Sequence, residues 1–504
     1  MNAPPVVGDL SMKQTVSRPV RLKTLFPLAS YVGCADVRVT SATCDSRQVQ
    51  PQGAFVVVPG TRQDGAFYVP EAIRRGAVAL IVESPLREFA IPQLVVPSAR
   101  EAIGRLCSAL MQHPSRSLKL AAVTGTNGKT SVNWILRSIV QSAFGSCGML
   151  GTIEYDDGIN IVPSELTTPA AETLQPMLRR MVAHGCRHAV MEASSHALHQ
   201  DRIAGCELDA AVITNVTQDH FDYHRSRSDY LTAKASIIHS LKPEGLLIVN
   251  ADDEGALEAS LLSAHDRRIM YGLDRPADVR GIMLEESLRG SRFSVLVDDQ
   301  TADYSTPLIG RHQVSNCLAA IAIARRWGIP AEAIQRGLSR LRTIPGRLQL
   351  AETHHGASVF VDYAHTADAL TQSITQIRRL SPGRIILVFG AGGDRDQSKR
   401  PSMGKAALQA DVAVITSDNP RTEDPKQIIH DIKAGMKGGT NELFVQPDRK
   451  AAIEWALQHC SAGDVVLVAG KGHERHQVIG DTRIPFDDVQ VIRDILHHNS
   501  LIPS

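Results

Sequence analysis

Short runs of consecutive apolar residues, each closed by Gly, Pro or a polar cluster, recur along the chain. In the first third they fall at 54–59, 77–82 and 93–97, with a helix-like stretch over 70–75. This reads as a small α/β domain. From residue 118 the alternation strengthens. Residues 118–123, 186–191, 210–214 and 245–249 read as buried strands, and 130–141, 171–184 and 229–241 as the helices between them. Such alternation predicts a largely parallel sheet with helices on both faces. The last third repeats the theme with strands at 384–389, 411–415 and 464–469. Each leads into a Gly-rich or polar loop: 390–395, 417–421 and 470–474. Ligands in open α/β sheets bind outside the carboxyl ends of strands, so these three loops are expected to converge on one site.

The chain has 504 residues. At roughly 100–200 residues per domain this suggests three domains. The polar, Pro-containing segment 112–117 and the triplet Pro345-Gly346-Arg347 supply the two breaks. The expected division is 1–117, 118–345 and 346–504, an α/β fold throughout, with residues 1–18 as a flexible tail. The net charge of +1 offers no footprint for nucleic acid or an anionic membrane surface. No run of about 18 apolar residues is present, so membrane insertion is not expected. The eight cysteines form no Cys-x-x-Cys pair and stand mostly in apolar contexts, which suits buried reduced thiols. These features lead us to expect a soluble, cytoplasmic monomer.

The densest chemistry lies at Gly125-Thr126-Asn127-Gly128-Lys129-Thr130, followed by Ser131. A strand, a Gly-containing turn and Lys-Thr opening a helix point backbone N–H groups at phosphate. Lys129 would reach the terminal phosphates of ATP and Thr130 would ligate Mg²⁺. The common phosphate-loop pattern places Gly at position 123, where this chain has Val. Glu192, Asp219 and His220 follow expected strands in the same region. A hard cation takes carboxylate, phosphate and water oxygens, so Glu192 with Thr130 would suit Mg²⁺, although each residue alone reads as an ordinary loop position. Asp394-Arg395, Asp418-Asn419-Pro420-Arg421 and Glu474 set arginines beside acids. Such a set either reads a zwitterionic amino acid or consists of surface ion pairs, which contribute little.

Nine stretches then place the sequence close to a known family: Thr124 to Thr130, Thr167-Thr-Pro169, Glu192-Ala-Ser-Ser-His196, Thr214-Asn-Val-Thr-Gln-Asp-His-Phe-Asp-Tyr-His224, Gly310-Arg-His-Gln-Val-Ser-Asn316, Asp362-Tyr-Ala-His365, Gly392-Gly-Asp-Arg-Asp396, Asp418-Asn-Pro-Arg421 and Gly470-Lys-Gly-His-Glu474. In this order they resemble the Mur ligases. The resemblance implies a domain for the UDP end of the substrate, a central ATPase domain and a C-terminal Rossmann-like domain for an incoming amino acid. It also implies a ligase of peptidoglycan synthesis. ATP would convert the D-Glu γ-carboxylate of UDP-MurNAc-L-Ala-D-Glu to an acyl phosphate, which an amine then attacks. The Asp418-Asn-Pro-Arg421 form implies meso-diaminopimelate as that amine, because Arg421 can fork to its far carboxylate.

The site residues implied by the resemblance follow position by position. Glu192, His220 and Thr130 would hold Mg²⁺, and Lys234 would be carbamylated to hold a second. Lys129 would act in catalysis with Glu192, His220 and Lys234. Asn316 and Arg347 would contact the nucleotide. Ser46, Thr167, Thr168, Ser194, Gln200 and Arg202 would bind the UDP-muramoyl-dipeptide. Arg395, Asp418, Asn419, Pro420, Arg421, Gly470 and Glu474 would bind diaminopimelate. The sequence departs from the family pattern at Leu166, Gln349 and Ala367. Three alternatives stand beside this reading: the lysine-adding ligase of the same family, an amide ligase like folylpolyglutamate synthase, and a nucleotide-switched regulator without ligase chemistry. Intact Lys129, Glu192, His220 and Lys234 argue against the last.

Overall fold

The computed structural model describes residues 18–499 except 35, 61–63, 218–222, 225 and 440. The chain packs as two compact units. One takes in residues up to Ile282 together with Ser294–Tyr304 and Ser315–Arg340, and the other takes in Met283–Phe293, Ser305–Val314 and everything from Leu341.

Besides a two-stranded pair, Val20–Arg21 with Arg38–Val39, the first unit is built on two larger sheets. The smaller has the strand order Ser30–Val32, Gln93–Val95, Ala77–Val82, Gly53–Val56, Ser41–Thr43, parallel except for the first pair. The helix Ala99–Leu110 covers it with an apolar stripe through Ala99, Ala102, Ile103, Leu106 and Leu110. Ser98 caps that helix by accepting the Glu101 N–H.

The larger sheet has eleven strands, in the order Ile161–Pro163, Glu154–Asp156, Gly148–Leu150, His188–Glu192, Lys119–Thr124, Leu208–Ile213, Leu241–Asn250, Arg268–Gly272, Val279–Ser287, Gly290–Val297, Gln300–Thr306. From Gly148–Leu150 to Val279–Ser287 the pairs are parallel. Leu120, Ala121, Ala122 and Val123 are wholly buried, which is why this strand reads as an unbroken apolar run. After Lys119–Thr124 the chain winds first to one side of the sheet and then returns to the other. The strand order therefore reverses beside the carboxyl end of Lys119–Thr124, where open α/β sheets form a crevice. The helix Lys129–Phe144 starts there and buries Val132, Ile135, Leu136, Ile139 and Val140 at helical spacing.

The second unit is built on the order Gln349–His354, Ala357–Asp362, Val465–Ala469, Ile385–Phe389, Val412–Ile415, Glu442–Val445. Only the first pair is antiparallel. Its core contains a buried ion pair. The Arg449 guanidinium forks onto Asp488 at 2.8 and 2.7 Å and also donates to Ala469 O at 3.0 Å. Both side chains are inaccessible to solvent. The pair fastens the start of helix Asp488–Asn499 and the start of helix Arg449–His459 to the end of strand Val465–Ala469.

Several expectations shift. The 229–241 stretch is a helix only over Arg227–Ala235. A 3-10 turn, Ser236–Ser240, follows, and a strand begins at Leu241. Pro243 cannot continue a helix, and the tighter turn buries Ile237 and Ile238 together. The 112–117 linker is packed rather than loose. Pro114 and Ser115 are buried, and Ser115 Oγ accepts the Glu207 N–H at 3.1 Å. Residues 1–17 of the expected tail lie outside the described residues, whereas Arg18 N–H donates to Leu110 O at 3.2 Å. Six of the eight cysteines are buried, and Cys34 and Cys44 are exposed.

Removing one partner of a buried ion pair strands the other charge. Asp488→Asn is therefore expected to destabilise the second unit by about 3–5 kcal/mol. A urea titration should show an earlier midpoint for that unit, and an unchanged midpoint would mean the pair contributes nothing.

Candidate active site

The phosphate loop occupies the switch point of the larger sheet. Gly125 has φ 149° and Gly128, which precedes the helix, has φ 88°. A Cβ at Gly125 would collide with Thr214 Oγ1, and one at Gly128 would lie 2.6 Å from Asn316 Oδ1. Only Gly meets both the backbone and the space requirement. Asn215 holds the loop from the neighbouring strand's end: its carbonyl accepts Thr126 N–H and its Oδ1 accepts Asn127 N–H, both at 2.8 Å. Thr214 Oγ1 donates to Asn127 O at 2.6 Å. Lys129 Nζ arches over the loop to Gly125 O at 2.8 Å and Thr126 O at 3.0 Å. Ser131 is buried in the first helical turn.

Glu192 joins this loop to the rest of the crevice. It ends the strand His188–Glu192 and is fully buried. Its carboxylate accepts Thr130 Oγ1 at 3.0 Å, Thr152 Oγ1 at 2.9 Å and Thr152 N–H at 2.8 Å. Its backbone carbonyl accepts Thr168 Oγ1 at 2.8 Å, and Thr168 Oγ1 accepts the Ser194 N–H at 3.0 Å. Thr152 Oγ1 also lies 3.2 Å from Thr167 Oγ1. Arg202 reaches Thr168 O at 2.9 Å and Gln200 Oε1 at 2.9 Å, and Gln200 donates to Tyr223 OH at 3.1 Å. Lys129, Thr130, Glu192, Asn316, Thr167, Thr168, Ser194, Gln200 and Arg202 thus line one continuous region of the first unit.

Lys234 is buried, with Nζ 4.5 Å above the Tyr230 ring, and Tyr230 OH lies 3.1 Å from Thr126 Oγ1. His220 and Asp219 lie outside the described residues. Among the described residues no group of three or more His, Cys, Asp or Glu could hold a metal ion. The Thr130 hydroxyl and Glu192 carboxylate are nevertheless adjacent oxygen donors. That chemistry fits Mg²⁺, which takes one or two carboxylates and completes its shell with phosphate and water.

Ser46 stands apart, opening the 3-10 turn Ser46–Gln48 that follows the edge strand of the smaller sheet. It is buried and donates to Glu71 Oε2 at 2.6 Å. That hydrogen bond, then Arg75, holds the Glu71 carboxyl below its ordinary range.

In the second unit the three expected loops do converge. Asn419 Nδ2 donates to Glu474 Oε2 at 2.8 Å, Gly393 N–H to Asn419 O at 2.9 Å, and Arg421 Nη1 to Gly393 O at 2.5 Å. A Cβ at Gly470 would lie 3.1 Å from Asp418 Oδ2. Arg421 takes φ 51°, tied by its N–H to Val478 O and by its carbonyl to Gly480 N–H. Arg395 is exposed on the 390–395 loop. A fourth segment joins them: the Arg347 guanidinium stacks 5.0 Å from the Tyr363 ring, and His473 packs on the same ring at 4.9 Å. Burial, then Arg347, pushes His473 down to about 4. Burial raises Asp418. Burial alone would raise Glu474 too, but Lys471 and the Asn419 amide outweigh it and hold that carboxyl below its usual range.

Sequence reasoning missed four residues of these networks: Thr152, Asn215, Tyr223 and Lys471. Asn215, Tyr223 and Lys471 stand inside stretches that were already singled out, so position within a motif was the available signal. Thr152 had none.

Comparison with known proteins gives three matched family models in chain order. They are "Mur ligase family, catalytic domain" over 38–115, "Mur ligase middle domain" over 123–324 and "Mur ligase, glutamate ligase domain" over 346–472. A protein of Gloeobacter violaceus named UDP-N-acetylmuramoyl-L-alanyl-D-glutamate–2,6-diaminopimelate ligase is 41% identical over 468 residues, 92% of this chain and 94% of that one. One of the same name from Caldanaerobacter subterraneus subsp. tengcongensis is 38% identical over 466 residues, 92% and 96% of the two chains. A solved structure bearing that name superposes with a TM-score of 0.71 at 32% identity, covering 96% of this chain and all of the other.

Because Gly125 has no room for a side chain beneath Thr214, Gly125→Ala is expected to weaken nucleotide binding by about tenfold or more, ~1.4 kcal/mol. Calorimetric titration of ATP would show this, and an unchanged Kd would mean the loop does not cradle phosphate.

Proposed function

The chain belongs to the Mur ligase family, and on that premise we propose that it adds meso-2,6-diaminopimelate to UDP-N-acetylmuramoyl-L-alanyl-D-glutamate at the expense of ATP, in the cytoplasmic assembly of peptidoglycan precursors. The observation that carries the choice of amino acid is the convergence of Asp418, Asn419, Arg421 and Glu474 on one pocket of the second unit. Carboxylates suit an ammonium and an arginine fork suits a carboxylate, so the set matches an amino acid with charges at both ends. Residues 1–117 would take the UDP end, 118–345 the nucleotide and 346–504 the amino acid.

A carboxylate is a poor acyl donor because oxide is a poor leaving group. Attack of the D-Glu γ-carboxylate oxygen on the γ-phosphorus of ATP releases ADP and leaves an acyl phosphate. The amine nitrogen then attacks the acyl carbon, the C–O bond to phosphate breaks, and an amide and inorganic phosphate result. The incoming ammonium loses its proton before attack and the nitrogen sheds another on forming the amide. The first step brings two anions together, so fixed positive charge lowers its barrier. Lys129 at the head of the phosphate loop supplies one such charge. Mg²⁺ at Thr130 and Glu192, with His220 and a carbamylated Lys234 as further ligands by family resemblance, would supply the rest. The threonines around Glu192 hold the dipeptide end beside the loop, and Arg202 with Gln200 closes that side.

Two expected outcomes test this. Phosphate release from ATP should require both the UDP-dipeptide and diaminopimelate; release with lysine alone would move the reading to the lysine-adding ligase, and none with either would end it. Arg421→Ala should raise the diaminopimelate KM by about 30-fold or more, ~2 kcal/mol of lost charge pairing, while leaving the ATP KM unchanged. Equal effects on both would assign Arg421 to the fold instead.

A further inference from the structure

The centre of the amino-acid pocket is a cation that the family resemblance does not assign. Lys471 has no solvent-accessible side-chain surface. Its ammonium donates to Asn419 Oδ1 at 3.1 Å, Glu474 Oε2 at 3.1 Å and His476 O at 2.7 Å. A lysine ammonium has three donors, so these partners use all of them. Asp418 Oδ1 lies 3.7 Å away, beyond hydrogen-bond reach.

Two consequences follow from the inventory of donors and acceptors. First, Asn419 has one possible flip. Its Oδ1 faces Lys471 Nζ and the Val478 N–H at 3.0 Å, both of which can only donate. Its Nδ2 must therefore face Glu474 Oε2, as observed at 2.8 Å. Second, Glu474 Oε2 is saturated by Lys471 and Asn419, which leaves Oε1 with no hydrogen bond among the described residues. Asp418 Oδ1 is buried and equally without a hydrogen-bond partner. The buried, unsatisfied Asp418 oxygen calls for a donor, and the partly exposed Glu474 Oε1 is open to share one. Lys471 lies between two of the site's carboxylates, Asp418 and Glu474, and Arg449 pairs with Asp488 behind them.

We propose that Lys471 is the positioning residue of the amino-acid site: it occupies Glu474 Oε2 and the Asn419 carbonyl, and so reserves Glu474 Oε1 and Asp418 Oδ1 for the ammonium of the incoming amino acid. The inference rests on the ligase reading and deepens it. Lys471 itself does not touch substrate. Without it, Asn419 is free to flip, Glu474 Oε2 loses one of its two donors, and Asp418 and Glu474 lose the cation that draws both carboxyls downward.

The test compares Lys471→Met with the wild-type protein, measuring phosphate release while each of the three substrates is varied, and diaminopimelate binding by calorimetry. Lys471→Met is expected to raise the diaminopimelate KM and Kd about tenfold or more, with the KM values for ATP and the UDP-dipeptide unchanged. Lys471→Gln keeps amide donors but no charge, and should fall between the two; it also serves if the methionine variant does not fold. An unchanged diaminopimelate KM in these variants, or an equal rise in all three KM values, would overturn the proposal while the ligase reading stands. Absence of both turnover and diaminopimelate binding in the wild-type protein would overturn the ligase reading and this inference with it.

Discussion

Glu192 is a carboxylate with no access to water, and the first unit's chemistry is arranged around satisfying it. A buried carboxylate needs donors on both oxygens. Thr130 and Thr152 provide them, from the phosphate-loop helix and from the segment beyond Gly148–Leu150. Its main chain meanwhile holds Thr168. Satisfying one charge thus aligns the start of a helix, a turn and the loop carrying Thr167 and Thr168. The fit is close: a side chain at Gly151 would collide with Glu192 Oε1. The shell of hydroxyls and one amide also gathers oxygen donors around the carboxylate, which is the chemistry a hard cation beside phosphate requires.

The second unit solves the same problem with the opposite sign. Lys471 and Arg449 are cations without solvent, and they gather Asp418, Asn419, Glu474 and Asp488 around themselves. Loops from separate strand ends are cross-linked by these contacts. Burial drives His473 toward its neutral form at the edge of this cluster, so the local charge is set by the lysine, the arginines and the acids. The two units therefore share a design: a fully buried charge at the carboxyl ends of parallel strands, with hydrogen-bonding groups from several segments gathered around it.

Much of this was legible in the chain. The strands that are buried on both faces, such as Lys119–Thr124, Ile385–Phe389 and Val465–Ala469, announce themselves as apolar runs, and their carboxyl ends locate the loops. Several strands escaped. Gly148–Leu150 and Glu154–Asp156 are too short to show a period. Val279–Ser287 is exposed at Arg280, Ile282, Leu284, Glu285 and Ser287, and its apolar run is only three residues long. For the site, the acids and arginines were visible because their chemistry is obvious. Lys471 was not, since a lysine between two glycines looks solvated until the sheet closes over it. Thr152 was invisible for a related reason: its role depends on a carboxylate forty residues away.

The central claim is that the crevice at Lys129, Thr130 and Glu192 activates a carboxylate by phosphorylating it. The most direct measurement follows an oxygen atom. With ¹⁸O in the γ-carboxylate of the UDP-dipeptide, the account predicts that the inorganic phosphate released during turnover carries one ¹⁸O, since the acyl C–O bond is the one that breaks. Phosphate free of label, with full label retained in the amide product and unreacted substrate, would contradict it.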